Sequence, residues 1–137
     1  MSDHSTPPSR GRTIAVRILT IITAAVFAMA GFSKISGAEQ MVSAFNAFGF
    51  PPWFMTLVGI AEVVGAIGLL LPPIAALAGL GLMGIAGGAF ITHIASGDSF
   101  GMAVPAIVVF VLAAVVTLMR GKKRHPHARQ HFSVPNA

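Results

Sequence analysis

Three residues have the type and setting to do chemistry: Glu62, His93 and Arg17. Glu62 lies about 13 Å below Trp53 at helical rise, in the middle of a long apolar run. An ionisable group at that depth costs about 2.5–3.5 kcal/mol on insertion scales, so it must face protein and be paired or neutral. Val58, Gly59, Gly65, Ala66 and Leu69 surround it at helical spacing. Small residues of this kind admit a neighbouring backbone and wall the carboxyl from lipid. Such a group suits a proton relay or a hydrogen bond to a polar ligand headgroup. It equally suits a structural carboxyl bonded to Arg, Thr or backbone inside a helix interface. Arg17 is either its inward partner or a snorkelling interfacial charge. Thr20, Thr23 and Thr92 are further candidate donors.

His93 stands near the end of another apolar run, with Asp98 close by as an orienting partner. Histidine is a common proton-transfer residue, and the His93 ring suits a hydrogen bond to a quinone-type carbonyl. The plainer alternative is a helix-end histidine bonded to its loop. A single intramembrane histidine makes a bis-histidine haem site within one chain unsuitable. No catalytic residue is assigned; Glu62 and His93 are the candidates. His125, His127 and His131 stand among Lys and Arg without Cys or carboxylates nearby, so no metal site is assigned.

The elements that position these residues are membrane helices. The chain has 137 residues, 55% hydrophobic and only 9% charged, with net charge +5 and mean hydropathy +0.81. A soluble domain carries about 25% charge. Nucleic-acid-binding, disordered and disulfide-scaffold classes are excluded, and the absence of cysteine removes thiol chemistry from this chain. Four apolar stretches, at 13–33, 53–71, 74–95 and 102–119, are each long enough to cross a hydrocarbon core of about 30 Å. Pro72-Pro73 closes the second. Pro105 falls in the first turn of the fourth, where a missing N–H costs least.

The expected architecture is all-α: an integral membrane four-helix bundle over 13–120. A disordered cytoplasmic tail (1–12) precedes it and a basic cytoplasmic tail (121–137) follows it. Met41, Phe45 and Phe48 recur at helical spacing, which predicts a short amphipathic helix between the first and second spans. It would lie on the outer-leaflet surface or pack on the bundle top. The cations cluster at both ends of the chain; between residues 18 and 119 the only Lys or Arg is Lys34. The positive-inside rule therefore places both termini in the cytoplasm, and the basic tail against anionic lipid headgroups. Arg-rich residues 10–17, an apolar run and Ala28-Met29-Ala30 also resemble a cleavable signal, which would leave three spans. Gly84 and Gly88 form a GxxxG, expected at an internal helix crossing or, second, at a homo-oligomer face. Lys34-Ile35-Ser36-Gly37 and His93-Ile94-Ala95-Ser96-Gly97 echo each other, which helix-end chemistry alone can produce.

Several of these runs occur in a recognisable order. Ala30-Gly31-Phe32-Ser33-Lys34 is followed by Phe48-Gly49-Phe50-Pro51. Then come Gly59-Ile60-Ala61-Glu62-Val63-Val64-Gly65 and finally His93. This order resembles the DoxX / DoxX-like family of small, mostly bacterial, four-helix membrane proteins. The resemblance implies a bacterial inner (plasma) membrane location. It also implies association with an oxidoreductase system, since members include a subunit of a thiosulfate:quinone oxidoreductase. By matching position it points to Arg17, Lys34, Glu62 and His93 as the ligand-binding set and to a quinone as the possible cofactor. The expected function is thus a membrane subunit or accessory handling a quinone or similar apolar redox molecule. A non-catalytic scaffold and a carrier for a small hydrophobic solute are the alternatives.

Overall fold

The computed structural model describes residues 9–121. Its helices are α1 (Arg10–Ile35), α2 (Glu39–Ala47), α3 (Pro52–Leu70), α4 (Ala75–Ala95) and α5 (Phe100–Gly121). All but α2 are long and apolar enough to cross a membrane. The molecule is an all-α, multi-pass membrane bundle. Helix α1 starts before the expected Thr13, because the Ser9 hydroxyl accepts from the Arg12 N–H and caps the first turn. Helix α5 also starts early, so Pro105 falls inside it, past the first turn in which it was expected. The tail residues outside 9–121, including His125, His127 and His131, lie outside the described residues.

Each spanning helix packs against its two neighbours in a ring, α1 on α3, α3 on α4, α4 on α5 and α5 on α1. The pattern of burial is that of a protein solvated by lipid. Large apolar side chains such as Ile21, Leu57, Val64, Leu77, Ile91 and Leu118 point outward. Small ones such as Ala24, Ala66, Ala75, Ala86, Ala103 and Ala113 point inward. Without a hydrophobic drive to separate helix from lipid, close van der Waals packing of small residues holds such bundles together.

The core lies toward the end of the bundle that carries the two termini. There Ala24, Phe27, Ala66, Leu69, Leu82, Ala86, Ala113 and Val116 form one buried cluster. Across this half, glycines receive neighbours: Gly65 meets the Leu82 side chain, Gly68 meets Ala78 and Gly79 meets Thr117. The opposite end, which carries the α1–α3 and α4–α5 connections, is built differently. Helix α2 lies across it and packs on α3 and α1, with none of its residues fully buried.

The echo between Lys34–Gly37 and His93–Gly97 is a matter of helix ends. Ser36 and Ser96 are C-caps. Gly37 (φ 68°) and Gly97 (φ 72°) take the left-handed conformation that follows a helix stop. Ala38 N–H returns to Ser33 C=O and Asp98 N–H to His93 C=O. The second of these turns brings Asp98 back toward His93.

Candidate functional site

Gly31 and Gly59 form the tightest crossing between α1 and α3. A Cβ built on Gly31 would stand 2.6 Å from the Gly59 carbonyl oxygen, and one on Gly59 would stand 2.8 Å from that of Gly31. Lys34 lies one turn from the crossing toward the loop end, and Glu62 one turn from it toward the terminal end. Side chains on a helix lean toward its N-terminus. The two helices are antiparallel, so Lys34 leans inward along the bundle and Glu62 leans outward, and they meet. The Lys34 Nζ donates to Glu62 Oε2 at 2.8 Å and to Oε1 at 3.1 Å. It also donates to the Ala30 carbonyl at 3.4 Å. The two side chains are 12% and 7% exposed, so the ion pair is largely desolvated.

Of the two readings of Arg17, partner of Glu62 or interfacial charge, this arrangement removes the first. Arg17 lies about 20 Å from Gly31 along α1, and it leans further away toward the terminal end. Its side chain is exposed. It does not join Glu62, and the structure does not bring it to the site. The threonines do not serve Glu62 either. Thr20, Thr23 and Thr92 donate to the carbonyls of Val16, Leu19 and Gly88 within their own helices.

His93 Nδ1 lies 2.7 Å from Asp98 Oδ2. The ring also meets Phe48, the residue that caps the end of α2, in a T-shaped contact at 5.1 Å between centroids. A cluster of aromatic rings continues from there, with Phe50 between Phe45, Phe48 and Phe54.

Lys34, Glu62 and His93 share one cavity of about 740 Å³ between the four spanning helices at the loop end. Its remaining lining is almost wholly apolar. Phe27, Phe54, Val58, Ile85 and Val109 form walls, and Met41 and Phe45 of α2, with Phe48 just past its end, form the roof. Gly81, Gly84 and Gly88 form a bare stretch of α4 on the same cavity. A Cβ added at any of these three would meet nothing within 4 Å. The Gly84/Gly88 pair is therefore not the internal helix crossing expected from its spacing. The α4 backbone is left bare toward an open volume, and among the described residues nothing lies within 4 Å of a Cβ placed there. Sequence periodicity missed the aromatic part of this site. Its signal was present in the closely spaced Phe45, Phe48, Phe50 and Phe54.

The description "DoxX-like family" matches residues 18–125 of the chain. The chain belongs to the DoxX-like family. No curated protein and no solved structure matches it. The matched range takes in Lys34, Glu62, His93 and the whole cavity, and omits only Arg17 of the expected residues.

Proposed function

We propose that this membrane protein holds a quinone or similar apolar redox molecule and works as a membrane subunit or accessory of an oxidoreductase system. The cavity carries the reading. It has the volume of small-molecule sites, which run about 300–1,000 Å³, and their composition, apolar walls with a few convergent polar groups. Lys34, Glu62 and His93 would hold the polar head, and the phenylalanines and the bare face of α4 would hold the ring and tail. A bound quinone would supply the redox chemistry. The chain's own residues orient the head and offer hydrogen-bonding atoms.

The proposed setting is the bacterial inner membrane with both termini in the cytoplasm. Arg10, Arg12, Arg17 and Arg120 all stand toward the terminal end, which supports that orientation. Helix α1 belongs to the working bundle in this reading, because it supplies Lys34, Gly31 and the core residue Phe27.

The test is the quinone content of the full chain purified in mild detergent, determined by extraction and mass spectrometry. Gly84→Leu places a side chain in the open volume without touching the polar groups. We expect co-purifying quinone in the parent protein and its loss in Gly84→Leu, with both proteins folded. Absence of quinone from the parent, or equal content in the two, would sink the reading.

A further inference from the structure

The seam between α3 and α4 is closed at one end and parted at the other. Toward the terminal end, Gly68 meets Ala78 and Gly65 meets Leu82. Carried one and two turns further toward the loops, the same antiparallel register sets Glu62 beside Ile85 and Val58 beside Gly88 and Ala89. All of these residues line the cavity. A Cβ on Gly84 or Gly88 meets nothing within 4 Å.

The parted seam faces lipid. Leu77, Gly81, Gly84, Gly88 and Ile91 follow one another at spacings of four and three, so they form one stripe along α4. Leu77 and Ile91 are 72% and 66% exposed, and the three glycines between them are exposed as well. The buried Gly79, Leu82 and Ala86 occupy the opposite side of the helix. The cavity lining therefore runs from the interior, around the α3-facing edge of α4, to its lipid-facing stripe. Gly81 lies about 20 Å from the loop end of α4 at helical rise, which is deep within hydrocarbon.

The other borders of the cavity differ. Helix α1 contributes Phe27 and Lys34, and neither is exposed. The roof residues Met41, Phe45 and Phe48 are half-buried. On α5 the exposed lining residues, Met102 and Pro105, lie in the first two turns at the loop end, and Ala106 below them is buried. Among the described residues, the α3–α4 seam is where exposed lining extends to the depth of hydrocarbon.

We infer that the cavity is loaded sideways from the bilayer, through the gap between α3 and α4. Its ligand is then a membrane-dissolved amphiphile, a polar ring on a long apolar chain, and the chain leaves through this gap beside the glycine stripe. The inference rests on the cavity being the ligand site proposed above, and adds the route and the chain. A head entering here reaches Lys34 and Glu62 while its chain stays in hydrocarbon. Entry beneath α2 would draw the same chain through water, against the hydrophobic effect.

Two photoaffinity probes test the route, a long-chain alkylquinone carrying a diazirine on its ring and one carrying it partway along its chain. The full chain is irradiated with each probe in lipid nanodiscs, with and without excess unlabelled alkylquinone, and adducts are mapped by peptide mass spectrometry. Only adducts lost on competition are counted. Ring adducts are expected on the cavity walls. Chain adducts are expected on α4 between Leu77 and Ile91 and on α3 between Phe54 and Ala61. A chainless quinone at the same membrane concentration should suppress them far less. Chain adducts confined to α1 and α5 or to α2, or no competed chain adducts beside competed ring adducts, would overturn the route and leave the cavity as a ligand site. Equal suppression by the chainless quinone would overturn the part given to the chain. Absence of competed ring adducts from the cavity would overturn both the route and the site. The parent protein is used throughout, so the result does not depend on any variant folding.

Discussion

The two ends of this bundle use the same helices and the same small residues to opposite effect. At the terminal end, Gly65, Gly68 and Gly79 each receive a neighbour, and the space between helices closes. Along the cavity face of α4, Gly81, Gly84 and Gly88 receive none, and a cavity of about 740 Å³ stands open toward the loop end. Gly79 and Gly81 lie within a turn of each other and belong to different regimes. The difference teaches that a glycine stripe closes a membrane interface only where the facing helix presents something to fill it. Unfilled, the same stripe is a wall that leaves room for a guest. The Lys34–Glu62 pair borders the open side and is anchored one turn away by the Gly31–Gly59 crossing, among the closest helix contacts in the molecule.

The largest effect should come from splitting that pair. Removing one partner leaves the other charge desolvated without compensation, which costs about 3–5 kcal/mol for buried pairs. Lys34→Met should therefore lower the thermal unfolding midpoint in detergent far more than any other single change at the site. Adding Glu62→Leu to it should restore most of the loss, because an apolar pair of similar volume needs no solvation. Arg17→Met, on an exposed side chain away from the pair, should stay within about 0.5 kcal/mol of the parent. A loss from Arg17→Met as large as that from Lys34→Met would refute the assigned pairing.

The four spans, the amphipathic connection and the need to bury Glu62 against protein were legible in the sequence. Each follows from hydropathy, helical period and the cost of a charge in hydrocarbon. The partner of Glu62 was not. Depth along the chain favoured neither Arg17 nor Lys34, and the deciding facts are relational. They are the helix register set by Gly31 on Gly59 and the lean of both side chains toward their own N-termini. A trace was nonetheless present. Gly31 precedes Lys34, and Gly59 precedes Glu62, by the same single turn. Two copies of that spacing on antiparallel helices describe one joint. The cavity was illegible for a related reason. GxxxG reports that a helix face is bare, and only the packed neighbours decide whether anything covers it.

The next effect tests the closed crossing that borders the open cavity. Gly31→Ala would force its Cβ against the Gly59 carbonyl oxygen, which cannot swing aside as a side chain could. Overpacking of this kind costs about 1–3 kcal/mol. The helices should separate enough to lengthen the Lys34–Glu62 contact as well. Thermal unfolding of Gly31→Ala should show that loss, and an unchanged midpoint would mean that the crossing is looser than the geometry requires.

The smallest effect tests the open side. Gly84→Ala adds the same methyl group to the same kind of helix, but into space where nothing lies within 4 Å. Glycine inside a helix is about 0.5–1 kcal/mol less favourable than alanine. With no steric term to oppose it, Gly84→Ala should leave the unfolding midpoint unchanged or raise it slightly. The pair Gly31→Ala and Gly84→Ala thus differs only in what faces the new methyl, and opposite signs are expected. Destabilisation by Gly84→Ala comparable to that of Gly31→Ala would mean that the α4 face is covered in the membrane, by a second copy of the chain or by a partner, and the cavity would then be part of an interface.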